Sequence, residues 1–139
     1  MIFERRYPIR FSHCDPAGII FYPQYFVLFN DQLEDWFDTE LGTGFAELHR
    51  DRRLGVPTVR IECDFSNPSR HGEQVLFTLG VTRIGNASVH LLREARLGDQ
   101  VRMRMHQVLA CMDLDAARAI PWPDDLREAM SRWSISPIG

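Results

Sequence analysis

The sequence predicts an α+β domain: one long helix against a five-stranded, mostly antiparallel sheet. Three observations carry this. A single long segment repeats apolar residues at three- and four-residue spacing. Later segments switch to a period of two, with short turn signals between them, as hairpins and meanders require. The chain has 139 residues, 45% hydrophobic and 25% charged, which is one ordinary globular domain. No internal repeat, low-complexity tract or linker divides it, so residues 1–139 are read as a single domain.

The first strand runs from Ile2 to Phe11, where Tyr7, Ile9 and Phe11 alternate with Arg6 and Arg10. Pro8 points to a sheet edge or a poorly paired position, because proline cannot donate to a ladder. Ser12-His13-Cys14-Asp15-Pro16-Ala17-Gly18 then breaks the strand as a structured loop. The helix opens at Pro23, which is tolerated in a first turn. It carries Phe26, Phe29, Leu33, Trp36, Phe37 and Leu41 at helical spacing and stops at Gly42. About 19 residues give it a length of about 28 Å. Tyr25-Phe26-Val27-Leu28-Phe29 is apolar on every side, so the first half is expected to be deeply buried. Asp31, Glu34, Asp35 and Asp38 give the second half a solvated face.

Gly44 to Arg53 is irregular or briefly helical, and its Arg50-Asp51-Arg52-Arg53 run reads as solvated. Strands follow at Val59–Phe65, Val75–Val81, Ala87–Arg96 and Val101–Met112, with turns at Gly85-Asn86 and Gly98-Asp99. The apolar phase slips between Met105 and Val108, which predicts a bulge there. A short helix starts near Asp124 and buries Leu126, Met130 and Trp133.

Composition excludes several functions. Net charge is −3, so bulk electrostatic binding of nucleic acid is not expected. All sixteen basic residues are Arg, so no Lys Schiff base or phosphate-loop Lys is possible. No stretch reaches the ~20 apolar residues that span a bilayer, and no membrane partner is expected. The three cysteines, Cys14, Cys63 and Cys111, form no CxxC pair. With a charged start lacking a signal-type apolar run, they read as reduced thiols of a cytoplasmic protein.

The chemistry concentrates in residues 13–26. Asp15 lies in a Pro/Gly loop just before a helix N-terminus, whose N–H groups and dipole can stabilise an oxyanion. A nearby carboxylate can attack a carbonyl or activate water. Ile19, Ile20, Phe21 and Tyr22 would exclude solvent. An aspartate before a helix is also a common turn or cap former, so the residues alone leave both readings open. His13 and Cys14 are adjacent and diverge, and His90 and His106 sit in strands as packed or surface residues.

Cys14-Asp15-Pro16-Ala17-Gly18-Ile19, followed by Tyr22-Pro23 and Tyr25, closely resembles the hotdog-fold 4-hydroxybenzoyl-CoA thioesterase family. Gly55-Val56-Pro57-Thr58-Val59, Phe65 to Pro68, Ile84-Gly85-Asn86-Ala87-Ser88 and Ala119-Ile120-Pro121 extend the resemblance over essentially the whole chain. It implies a long central helix wrapped by the sheet. It implies acyl-CoA hydrolysis to free acid and coenzyme A, with no metal and no redox cofactor. Asp15 matches the family's catalytic carboxylate, nucleophile or general base. Tyr22 matches the position whose backbone N–H polarises the thioester carbonyl, and Gly18 the glycine that admits the ligand.

Pro23 stands where many short-chain relatives carry His, as in the aromatic-substrate branch. Asn30 stands where that branch carries an Asp near the substrate ring, and an amide still hydrogen-bonds a hydroxyl. Asn30 is a departure from the 4-hydroxybenzoyl pattern, whereas Pro23 with Phe21, Tyr22, Tyr25, Phe26 and Phe29 favours a flat or compact aromatic acyl group over a long fatty one. Arginines should meet the coenzyme A phosphates, Arg83 being one candidate. The resemblance also implies a homodimer or a tetramer of dimers, with sites at subunit boundaries. Two other functions suit the same residues: a thioesterase acting on acyl carrier protein, or a non-catalytic acyl-CoA-binding subunit.

Overall fold

A computed structural model describes residues 1–136. β1 (Phe3–Pro8) is followed by a 3₁₀ turn at Phe11–His13, then α1 (Pro23–Glu40) and α2 (Phe45–Arg50). β2 (Leu54–Gly55) and β3 (Thr58–Phe65) lead to the long strands β4 (Gln74–Ile84), β5 (Ser88–Leu97) and β6 (Gln100–Ala110). β7 (Met112–Asp113), β8 (Arg118–Ala119) and α3 (Asp124–Ser131) complete the order. The five-stranded sheet has the order β1-β4-β5-β6-β3, antiparallel at every pairing. β1 and β3 are its edges, and Pro8 falls on one of them. A small sheet, β2-β7-β8, has no counterpart in the sequence pattern, since two-residue strands carry no periodicity. Beyond the end of β1, Ser134 bridges Val81 in parallel and extends that edge.

α1 lies on one face of the sheet. Tyr25, Leu28, Phe29, Gln32, Leu33, Trp36 and Phe37 form its buried stripe. The expectation of a long helix wrapped by sheet is corrected here: α1 has 18 residues and is covered on one side only. The all-round burial expected of its first half fails for the same reason, and Val27 is 46% exposed. Val27 lies off the stripe, where the single chain has nothing to pack on it. The helix also leaves the β3 edge largely uncovered. Ile61 and Phe65 pair across from the buried Gln107 and Met103, yet remain 41% and 49% exposed.

The core has two apolar halves. One gathers Tyr25, Leu28 and Phe29 against Val75, Phe77, Ala95, Met103 and Met105. The other gathers Leu33, Trp36 and Phe37 against Leu79, Leu91, Leu109 and α3. Between them runs a polar belt of Gln32, Arg93 and Gln107, all buried. The Arg93 guanidinium donates to Gln107 Oε1 (2.8 Å), Phe29 O (2.7 Å) and Gln32 Oε1 (3.0 Å), and lies over the Phe29 ring. Burial pulls its pKa down, but these acceptors favour the charged form.

This belt corrects the bulge expected between Met105 and Val108. Gln107 occupies an inward position of regular alternation, and its polarity alone broke the apolar phase. The register shifts instead between Ala95 and Arg96, where Arg102 is the extra residue of β6, and near Thr58 and Val81. Three smaller expectations also change. β1 ends at Pro8 rather than Phe11. Trp133 is buried but lies beyond α3. Arg52 is not merely solvated, because it makes a two-pronged contact with Asp125 and donates to Thr43 Oγ1.

Candidate active site

Asp15 stands at the tip of a small hairpin formed by residues 13–21. Its arms are joined by Asp15 N–H to Ile19 O (2.9 Å) and Phe21 N–H to His13 O (2.9 Å). Gly18 N–H closes the turn on Asp15 O at 3.0 Å. Pro16 suits the second position of such a turn, and Gly18 takes the φ of +77° that follows it. The Asp15 side chain supports the same turn, with Oδ1 accepting from Ala17 N–H at 2.9 Å. That is an Asx turn, and it occupies one carboxylate oxygen. Among the described residues no hydrogen bond engages Oδ2. Asp15 is partly buried and lines a hollow of about 620 Å³ with Phe11, Ser12, Cys14, Pro16, Gly18 and His71. Phe11 is 80% exposed and meets the His71 ring at 5.8 Å.

The hairpin delivers the chain into α1. At that helix end Pro23 has no N–H, Gln24 N–H is held by Phe21 O (2.8 Å), and Tyr25 N–H by Tyr22 O (3.1 Å). Among the described residues no acceptor takes the Tyr22 N–H. It is the free donor at this end of the helix, where the dipole is positive. A carbonyl oxygen seated there would gain the stabilisation of an oxyanion site.

The other expected residues separate. Tyr25 is buried, and its hydroxyl shares a hydrogen bond of 2.8 Å with Ser69 Oγ. It lines a second hollow of about 290 Å³ with Ile20, Tyr22, Phe65 and Pro68. Phe21, Tyr22 and Phe65 form an exposed aromatic chain there, with centroids 5.5 and 5.9 Å apart. Asn30 lies two turns further along α1, in a third hollow with Glu34, Phe45, Val56 and Thr58. Within one chain Asn30 does not reach the Asp15 hollow. Arg83 lies about nine residues along β4 from the hairpin end, or about 30 Å.

His13 and Cys14 do not pair: His13 Nδ1 accepts from Arg10 N–H, and Cys14 Sγ faces Arg10 O. Burial pushes the Cys14 thiol up, away from a reactive thiolate. Sequence reasoning missed Phe11 and His71, because exposure beside Asp15 arises only when the β3–β4 connection folds back on the hairpin.

The sequence model of the thioesterase-like superfamily matches residues 9–130. The chain belongs to the thioesterase-like superfamily. The match includes the Asp15 hairpin, α1 and all of the five-stranded sheet except β1. No curated protein matches by sequence. Solved structures do. A predicted thioesterase from Bacillus stearothermophilus shares 25% identity over 99% of each chain, with a TM-score of 0.84. A gentisyl-coenzyme A thioesterase shares 25% over 91% of this chain and 99% of its own, TM-score 0.78. A 1,4-dihydroxy-2-naphthoyl-CoA thioesterase from Synechocystis shares 19% over 94% and 96%, TM-score 0.84, a likeness of fold. This thioesterase-like chain therefore has the hotdog thioesterase fold. No helix among the described residues is long and apolar enough to cross a membrane.

Proposed function

We propose that this thioesterase-like chain hydrolyses an acyl-CoA thioester, with Asp15 as its catalytic carboxylate. The observation that supports the reading is an Asp15 carboxylate oxygen without a hydrogen-bond partner among the described residues, on the hairpin that leads directly into the helix end bearing the uncommitted Tyr22 N–H. The Tyr22 amide holds the thioester oxygen as negative charge develops on it. As nucleophile, Asp15 forms a C–O bond while the C–S bond breaks. The thiolate then takes a solvent proton, and water cleaves the mixed anhydride. As general base, Asp15 instead takes a proton from water, whose oxygen attacks the same carbon, and the thiolate leaves with that proton.

The acyl group is proposed to be aromatic. Phe21, Tyr22 and Phe65 offer flat surface beside the helix end, and two of the similar solved structures are thioesterases of aromatic acyl-CoA. Gly18 admits the ligand by keeping side-chain bulk off the turn. Asn30 meets the acyl ring in a site completed by a second copy. The active unit is a homodimer or a tetramer of dimers, working in the cytoplasm, where its three free thiols persist.

Thiol release from benzoyl-CoA, 4-hydroxybenzoyl-CoA, palmitoyl-CoA and acyl carrier protein substrates tests this reading. Turnover is expected on the aromatic thioesters above all. A preference for palmitoyl-CoA rejects the aromatic assignment, and a preference for the carrier protein moves the substrate to that class. Tight acyl-CoA binding with no thiol release over hours rejects hydrolysis altogether.

A further inference from the structure

The Asp15 hairpin has little to hold it from within. Its turn residues Pro16, Ala17 and Gly18 are exposed, and Ile20 is its one fully buried side chain. Its outer arm is stitched instead to the β3–β4 connection. Ile20 N–H donates to Ser69 O (2.8 Å), His71 N–H donates to Gly18 O (3.1 Å), and Ile19 bridges Arg70. Whatever fixes residues 66–73 therefore fixes Asp15.

That connection has no apolar anchor of its own. Its one fully buried residue is Ser69. The anchor is Arg102, the extra residue of β6, which is buried next to the equally buried Met103 where strict alternation would turn one of them outward. Arg102 Nη1 donates to Pro68 O (2.9 Å), to Ser69 Oγ (3.3 Å) and to Glu73 Oε1 (2.8 Å), and Nη2 donates to Glu73 Oε2 (3.2 Å). The Arg102 carbonyl accepts from Ser66 N–H at 2.9 Å. Glu73 Oε1 also accepts from Arg70 N–H (2.6 Å), and Ser69 Oγ joins the Tyr25 hydroxyl on α1. One guanidinium thus ties both ends of the connection together, and links it to the first turn of the helix that bears the Tyr22 amide. A lysine offers no planar fork to span these acceptors.

We propose that Arg102 is a positioning residue for hydrolysis, holding the Asp15 carboxylate in register with the Tyr22 N–H through Ser69 and Glu73. This rests on the reading of Asp15 as the catalytic carboxylate. A displacement of about 1 Å at such a site costs on the order of 10²-fold in rate, which sets the scale of the effect.

The test compares Arg102→Met, Arg102→Lys and Ser69→Ala with the parent chain in thiol release and in amide hydrogen exchange. Positioning predicts that Arg102→Met lowers kcat by about 10- to 100-fold with KM little changed. Exchange at the Ile20 and His71 amides should quicken, while the buried stripe of α1 keeps its protection. Added guanidinium should restore part of the lost kcat to Arg102→Met, and Arg102→Lys should fall between the two. Ser69→Ala, which leaves the ion pair intact, keeps the question open to measurement if Arg102→Met does not fold. It should slow kcat less than Arg102→Lys does and still loosen the Ile20 amide.

If folded Arg102 and Ser69 variants lose thermal stability but keep full kcat and parental exchange at Ile20 and His71, the role is structural and the proposal is overturned. Asp15→Asn measured alongside separates the two readings. An active Asp15→Asn removes the catalytic assignment, whereas the exchange data still report whether Arg102 holds the hairpin.

Discussion

On the proposed reading, Asp15 has two jobs that compete for one side chain. Its Oδ1 closes the Asx turn with Ala17 N–H, and Oδ2 is left for chemistry. Asparagine keeps the turn-closing oxygen and nearly the same volume, but it loses the negative charge and the basic oxygen. Asp15→Asn is therefore expected to fold with a parental melting temperature and to lose at least ~10²-fold in thiol release. Near-parental turnover by the folded variant would sink the catalytic role. The place of Asp15 in a loop before a helix opening is a local pattern in the amino-acid order, and its catalytic reading comes from the resemblance of the Cys14–Ile19 string. The free state of the Tyr22 amide is not a local pattern, since it depends on which carbonyls the neighbouring amides Gln24 and Tyr25 find first.

At the scale of elements, the buried Arg93 belt ties α1 to β5 and β6. Arg93→Ala would leave the acceptors of Gln107, Gln32 and Phe29 without their donor and open a cavity, at a cost of about 3 kcal/mol or more. Arg93→Met combined with Gln107→Leu should recover part of that loss, because an apolar pair of similar volume needs no partners. Urea denaturation of the single and double variants measures both. A harmless Arg93→Ala would mean that the belt contributes nothing to stability.

The Glu73–Arg102 pair predicts a pH effect on the same scale. The Arg102 guanidinium holds the Glu73 carboxyl below its ordinary range. The unfolded chain therefore takes up the proton first as pH falls. The stabilisation is complete above the ordinary glutamate pKa and is lost as pH drops through the lower folded value. Melting temperature followed from about pH 6 to pH 3 should fall less steeply in Glu73→Gln than in the parent. An equal slope in both would show that Glu73 is not linked to acid unfolding.

At the scale of the whole molecule, a single chain leaves β3 uncovered. This edge strand carries Val59, Ile61 and Phe65 exposed, and it continues the aromatic chain of Phe21 and Tyr22 beside the helix end. An exposed apolar edge is a ready site for pairing with another strand. The 16.2 kDa chain is expected to scatter light as a dimer or larger at assay concentrations. Ile61→Lys should shift it toward monomer and lower thiol release in the same fractions, if Asn30 acts with the Asp15 site of a second copy as proposed. A fully active monomer would remove the shared-site arrangement.

By itself the sequence determined the α+β class, the helix opening at Pro23, four long strands with their turns, and the loop that carries Asp15. Each of these is written in nearest neighbours: a period of 3.6 or 2, a proline, a glycine, a hairpin signal. The resemblance of the Cys14–Ile19 string added the hotdog expectation from the same local information. Tertiary structure decided everything that depends on long-range partners. It made Gln107 an inward residue rather than a phase slip, because Arg93 from the neighbouring strand meets it. It turned Arg102 inward to Glu73, left Val27 and Ile61 uncovered, and set Asn30 in a different hollow from Asp15. These outcomes follow from which groups are desolvated together, and a polar side chain is tolerated inside only where a partner distant in sequence satisfies it.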